Sequence, residues 1–371
     1  MKSNLFDFVS IALSGAVLGV CLSNGLGLSF DYELFFRGSD HISQNGFSNL
    51  FSEGAFHAKP PLFPLFLSWI ENNIRLILWS NMICHVISLT LLISLVNTLF
   101  ATSPYQYLAK LLLCFAVPTL LIHEFVLPEP LFMSAWSAHL LFVHKTIQKP
   151  TLFNLSMITF SAILMIGLRH IGIVPVCLTG SYVWYELRKN DFGRQAILNF
   201  LLPLILFFGW QIMLYFQVHH FERLDHFSGG NYSENALEVL VQFSVWFVPK
   251  TGVTALNLVS AVFVISTLSY LFILTAKSKA KETSILQFYA ILSLTFGAFI
   301  IFKGDLIFSD IERYLSIIYF PTVVIFTFGL HHLSNQFPKR QKLILFASYG
   351  WLCYPILRLV HNVTLWSGYG G

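Results

Sequence analysis

The sequence predicts an all-α integral membrane protein, a bundle of about eleven transmembrane helices, and three observations predict it. Hydrophobic residues make up 56% of the chain and charged residues only 11%, where a soluble globular chain carries about 25% charged residues. Mean hydropathy is +0.69. The apolar residues fall into about eleven runs, with basic residues in small clusters between them, and this pattern gives every run an orientation.

Taken in order, the runs cover about 6–25, 74–99, 108–123, 130–144, 151–168, 170–187, 195–217, 254–276, 284–302, 315–335 and 342–361. Those at 108–123 and 130–144, and the pair divided at Arg169, fall short of the ~20 residues that a crossing helix needs. The first run follows Lys2 and carries no A-x-A cleavage signal, so it is expected to remain as an uncleaved span. With the N-terminus inside, Lys2, Lys110, Lys145, Lys149, Arg188, Lys189, Arg194, Lys277, Lys279, Lys281, Lys339, Arg340 and Lys342 all fall on the inner side. That is 13 of the 22 Lys and Arg residues. Adding or dropping one run in the middle would scramble this pattern. The net charge of +4 thus orients the chain and is no nucleic-acid footprint. No polar run is long enough for a soluble domain. Residues 1–371 read as a single transmembrane domain, with a first outer loop at 26–73 and a second at 218–253. The five cysteines have no CxxC spacing and read as small core residues.

The first outer loop is the richest in chemistry. Asp31 can cap a short helix whose apolar face is Tyr32, Phe35 and Phe36, with Arg37 on its wet side. Lys59-Pro60-Pro61 cannot continue a helix but can begin one. Two amphipathic surface helices therefore bracket a polar loop. Fourteen of the 18 carboxylates fall outside on this topology, among them Asp31, Glu33, Asp40, Glu124, Glu129, Asp305, Asp310 and Glu312. Nine single cations sit at outer helix ends or in outer loops: Arg37, Lys59, Arg75, Arg169, Arg223, Lys250, Lys303, Arg313 and Arg358. Any one of them is explained by snorkelling at a helix end. A set drawn from distant parts of the chain to one membrane level has the composition of a site. In the second outer loop Gly229-Gly230 marks a turn before an amphipathic helix at about 235–248, either a lid over a lipid-facing groove or a membrane-resting segment. His219, His220 and His226 lie near Glu222 and Asp225 there, but their spacing matches no strong metal-ligand pattern.

GxSxG, Walker, GxGxxG, HExxH and DxD sequences are absent. The outer level instead offers four patches: the Asp31–Lys59 loop, PEPLF around Glu129, RHIG at Arg169, and IERY around Arg313. In this order they resemble the GT-C superfamily of polytopic glycosyltransferases, which use polyprenyl-phosphate-linked sugars. The matching elements are Asp31, Glu33 and Phe35 after the first span, then Lys59-Pro60-Pro61-Leu62. Pro128-Glu129-Pro130-Leu131-Phe132, Arg169 with Gly172, and Glu312-Arg313-Tyr314 ahead of Pro321 complete the set. The resemblance covers about 6–335 and is nearest in style to protein mannosyltransferases and the aminoarabinose transferases of lipid A. The larger relatives carry further spans or a soluble outer domain, so acceptor recognition departs from their pattern.

The resemblance implies a GT-C-like bundle that moves a sugar from a polyprenyl-phosphate donor to an acceptor hydroxyl at the outer face, with inversion. Asp31 would be the general base. Lys59, Arg169 and Arg313 would bind the donor phosphate. Glu33, Asp40, Glu129, Glu312 and Tyr314 would support them, with Glu129 orienting Arg169 or Lys59, or else capping the helix that begins at Pro130. No cofactor is required, and a divalent metal is optional but not indicated. The partners would be the lipid-linked donor, a glycan, lipid or protein acceptor, and membrane lipids, with no nucleic acid. The site would face the periplasm in a bacterial cytoplasmic membrane, or the lumen in an endoplasmic reticulum membrane. Two other classes remain open on sequence: an O-antigen-type polymerase or ligase acting on polyprenyl diphosphates, and a transporter. The first keeps its key arginines in a late outer loop. The second is expected to carry midplane charges or broken-helix repeats, which the sequence does not display.

Overall fold

Inside hydrocarbon, backbone amides and carbonyls must pair within their own segment, so an apolar chain of this kind folds as helices. The computed structural model describes residues 2–27, 32–46, 60–101, 103–189, 192–218, 232–276, 282–302 and 311–366. Among these residues the chain is almost wholly helical, and β-type pairing is confined to an isolated bridge between Gly27 and Phe125. The helices are α1 (Lys2–Cys21), α2 (Tyr32–Asn45), α3 (Leu62–Trp69), α4 (Ile74–Leu99), α5 (Gln106–Cys114), α6 (Val117–Leu121), α7 (Glu129–Gln148), α8 (Leu152–Leu168) and α9 (Ile173–Leu187). They continue as α10 (Phe192–Val218), α11 (Tyr232–Ser244), α12 (Thr254–Ala276), α13 (Glu282–Ile301), α14 (Ile311–Leu315), α15 (Tyr319–Gln336), α16 (Gln341–Trp351) and α17 (Cys353–Trp366).

Each of the eleven apolar runs is helical. Among the described residues seven segments are long and apolar enough to cross a membrane alone: Asn4–Cys21, Ile74–Leu99, Phe192–Met213, Thr254–Ala276, Ser284–Ile301, Ile311–Gln336 and Pro338–Thr364. The chain is a multi-pass membrane protein. The other four runs fall short for separate physical reasons. The run at 108–123 is split into α5 and α6 at Phe115–Ala116, just ahead of Pro118. α8 and α9 have 17 and 15 residues, divided where Arg169 is extended. α7 has 20 residues but carries His139, His144 and Lys145.

Contacts within the chain define two compact units. The first comprises Met1–Cys21, Leu92–Ile122 and His226–Gly371; the second comprises Leu22–Leu91 and His123–Asp225.

In the second unit α7 is buried around most of its circumference, so its polar side chains meet protein instead of lipid. His139 is fully enclosed, with Nδ1 2.9 Å from the Ser161 hydroxyl on α8 and Nε2 2.8 Å from the Thr179 hydroxyl on α9. α10 instead exposes Leu198, Leu202, Ile205 and Phe208, an apolar face suited to lipid. The two helices of the 26–73 segment also belong here. α2 buries Phe35, Gly38, Ser39 and Ile42, the i, i+3, i+4, i+7 stripe of an amphipathic helix. Phe35 meets Phe63 of α3 edge-on with ring centroids 5.0 Å apart, while Arg37 is exposed as expected. α3 starts directly after the Pro60-Pro61 corner, with Pro61 as its N-cap.

In the first unit the rod from Ile311 to Gln336 is the central element, and most of its residues are buried. α12 and α13 pack on it and expose Val259, Phe263 and Leu294 outward. α1 and α5 are joined by an ion pair between the Lys110 ammonium and Asp7, 2.6 Å apart. Asn97 donates to the other Asp7 oxygen (2.9 Å), and Gln106 donates to Asn97 (2.8 Å). Lys110 is 0% exposed. The expected topology counts it among the inner cations, but its ammonium is engaged by Asp7 inside the protein. The amphipathic helix expected at 235–248 is α11, Tyr232–Ser244, followed by a turn over 245–248.

The five cysteines are not all core residues. Cys21, Cys84 and Cys114 are buried, but Cys177 and Cys353 are exposed on α9 and α17. A helix in a membrane tolerates a thiol on its outward face because its surroundings there are apolar too.

Candidate functional site

The second unit builds its charged centre at the start of its most buried helix. Pro128 is the N-cap of α7 and Pro130 sits in the first turn, where a missing N–H costs no hydrogen bond. Glu129 between them lies at the positive end of the helix dipole. Its carboxylate is 4% exposed and is ion-paired to the guanidinium of Arg169, itself 15% exposed. Arg169 is placed by a break between helices: it ends α8 in extended conformation (φ −149°, ψ 131°) and precedes the 3₁₀ turn His170–Gly172. That turn closes onto the end of α8 so tightly that a Cβ on Gly172 would lie 2.8 Å from the Met165 carbonyl atoms. Only glycine fits there, which gives the Arg169–Gly172 spacing a steric cause. Beside it, the His170 ring stacks on Trp210 of α10, centroids 4.9 Å apart and planes within 9°.

The chain leading to Glu129 is fastened to the chain leading to α2. Gly27 N–H donates to the Glu124 carbonyl (2.8 Å), and Val126 N–H donates to the Gly27 carbonyl (3.1 Å). The Asn81 amide on α4 donates to the carbonyls of His123 and Phe125, 3.0 Å each. Backbone groups of an irregular segment thereby find partners inside the protein, as a membrane protein requires. Of the acids on α2, Glu33 is exposed and 3.7 Å from Arg37, one helical turn away. Asp40 accepts a 2.7 Å hydrogen bond from Asn72, which stands with Glu71 in the left-handed backbone region at the corner between α3 and α4. Asp40 therefore fastens α2 to that corner. Asp31 and Lys59 lie outside the described residues, as do His219, His220 and His226.

The first unit builds its own charged centre at the start of its central rod. α14 carries Glu312, Arg313 and Tyr314 in succession. Arg313 is 5% exposed, its guanidinium 5.2 Å over the Tyr314 ring, and its backbone carbonyl accepts a 2.6 Å hydrogen bond from Ser316. Glu312 is paired with Arg358 of α17, whose Nη2 lies 2.7 Å from both carboxylate oxygens.

Of the residues singled out from sequence, Glu129 and Arg169 meet directly, and Arg313 meets Tyr314. Glu312 takes a partner that sequence reasoning left as a single cation. Arg358 stands alone in an apolar helix, and an isolated charge in such a helix is itself the signal that a buried partner exists. Each centre offers a guanidinium withdrawn from water, where an anionic ligand is held more strongly than in bulk solvent.

No protein-family profile matches the sequence, and no curated protein matches it. Among solved structures the chain is similar to ArnT from Cupriavidus metallidurans, crystallised with undecaprenyl phosphate. The TM-score is 0.61 and the sequence identity 11%, over 90% of this chain and 61% of that one. The likeness covers nearly all of this chain, which spans about three-fifths of the ArnT length. The likeness shows the fold, a polytopic helical bundle like that of ArnT.

Proposed function

We propose that this chain is a membrane glycosyltransferase that moves a sugar from a polyprenyl-phosphate donor to an acceptor hydroxyl. The observation that carries the reading is its fold likeness, across 90% of its length, to an ArnT crystallised with undecaprenyl phosphate. Two arginines withdrawn from water support it: Arg169 at the end of α8, paired with Glu129, and Arg313 at the start of its unit's central rod. In the reaction the acceptor hydroxyl gives its proton to the Asp31 carboxylate and its oxygen bonds to the anomeric carbon. The bond from that carbon to the phosphate oxygen breaks, and its electron pair leaves with the polyprenyl phosphate. Attack from the face opposite the phosphate inverts the anomeric centre. Arg169, Arg313 and Lys59 neutralise the phosphate before and after the step. The site faces away from the cytoplasm, in the periplasm for a bacterial inner-membrane protein.

The direct test is binding of undecaprenyl phosphate to the purified full chain in detergent, with undecaprenol as the uncharged control. The phosphate is expected to bind and the alcohol to bind far more weakly. Arg313→Gln is expected to weaken phosphate binding about ten- to a hundredfold, the loss of a hydrogen bond to a charged group of about 1.5–3 kcal/mol. Equal affinity for phosphate and alcohol would remove the reading.

Orientation is checked separately by labelling single cysteines in intact cells. Asn45 ends α2 and is exposed; a cysteine there is expected to react with an impermeant reagent. A cysteine at position 280, among the inner lysines, should react only after the membrane is opened. Both positions on one side would dismantle the proposed face.

A further inference from the structure

We propose that Arg358 is a positioning residue for anion binding by Arg313, and that it acts by holding Glu312. The inference rests on the reading of Arg313 as a ligand of the donor phosphate.

Glu312 and Arg313 are neighbours in sequence on α14, and residues one apart on a helix point in different directions. Both are largely withdrawn from solvent: the Glu312 side chain is 13% exposed and Arg313 is 5% exposed. A carboxylate in such a place takes a cation. Arg358 supplies it, reaching both oxygens at 2.7 Å. With Glu312 so engaged, its negative charge is held by the last helix and does not oppose a phosphate approaching Arg313.

The way α16 and α17 are fixed makes Arg358 more than a chance contact. The Trp351 indole N–H donates to the Phe247 carbonyl at 2.9 Å, and the Tyr354 hydroxyl donates to the Val245 carbonyl at 2.6 Å. Trp351 ends α16, while Tyr354 and Arg358 stand at i and i+4 on one face of α17. Two of the three donors grip the turn that follows α11, and the third grips the residue beside Arg313. The register of the last helix against that turn therefore sets where the guanidinium of Arg358 falls. If Arg358 is removed, the Glu312 carboxylate has Arg313 as the next cation along the chain and competes with the phosphate for it.

The test uses undecaprenyl phosphate as the probe with five variants of the full chain: Arg358→Gln, Arg358→Lys, Glu312→Gln, the double variant of Arg358→Gln with Glu312→Gln, and Arg313→Gln. Arg358→Gln is expected to weaken binding about tenfold. The double variant should bind like wild type, because removing the competing carboxylate removes the cause. Arg358→Lys should recover part of the loss, since it keeps the positive charge and a single nitrogen, Nη2, is what reaches both oxygens in the native pair. Thermal unfolding in detergent, followed in parallel, separates loss of fold from loss of binding. A purely structural pair would leave the double variant as weak as the single, or Arg358→Gln without effect on affinity, and either result overturns the inference. If Arg313→Gln itself binds like wild type, the phosphate reading of Arg313 fails first, and the inference fails with it.

Discussion

Asp31→Asn is expected to lower sugar transfer by on the order of 10²–10⁴-fold, the contribution of a general base, while undecaprenyl phosphate still binds. Asp31 directly precedes α2, which opens at Tyr32. An asparagine keeps an oxygen that can cap a helix, so a capping role survives the substitution and a proton-accepting role does not. Glu33→Gln and Asp40→Asn are the natural controls. Glu33 is an exposed carboxylate near Arg37, and Asp40 holds Asn72 at the α3–α4 corner. Both variants are expected to stay within a few-fold of wild type. Near-normal turnover in Asp31→Asn with a dead Asp40→Asn would move the base to Asp40. Activity in all three would leave the proposed reaction without its proton acceptor.

The second large effect is expected at Glu129 and Arg169. A cation at a helix end is ordinarily truncated without harm to the fold. The burial of its partner reverses this. Removing either member leaves a charge with little solvent around it, a loss of about 3–5 kcal/mol for a buried pair. Glu129→Gln and Arg169→Gln should each lower the thermal midpoint sharply, and the double variant should recover much of that stability. Affinity for undecaprenyl phosphate is expected to follow a different pattern: it stays low in the double variant, because the cation that meets the phosphate is gone. Recovery of both stability and affinity would make the pair a strut and nothing more.

Local physics made much of this molecule legible beforehand. Hydropathy placed the helices at 74–99 and 254–276 with their observed ends, because the length of an apolar run is read directly along the chain. The Pro60-Pro61 corner announced α3 and the period of Tyr32, Phe35 and Phe36 announced α2, since turn and period signals act within a few residues. The apolar runs did not disclose which helices would be interior. α7 and the 311–336 rod are enclosed by protein, and only that enclosure lets His139, Glu129 and Arg313 sit where lipid would reject them.

By itself the sequence determined that the chain is a multi-pass helical bundle, which residue types stand at the helix ends, and the order of motifs that resembles a GT-C enzyme. The tertiary structure alone decided the pairing of charges: Asp7 with Lys110, Glu129 with Arg169, Glu312 with Arg358. The partners are 103, 40 and 46 residues apart. A helix records its own period in its sequence, but a carboxylate takes the cation that folding brings within reach, and that distance is set by packing between helices and not along any one of them.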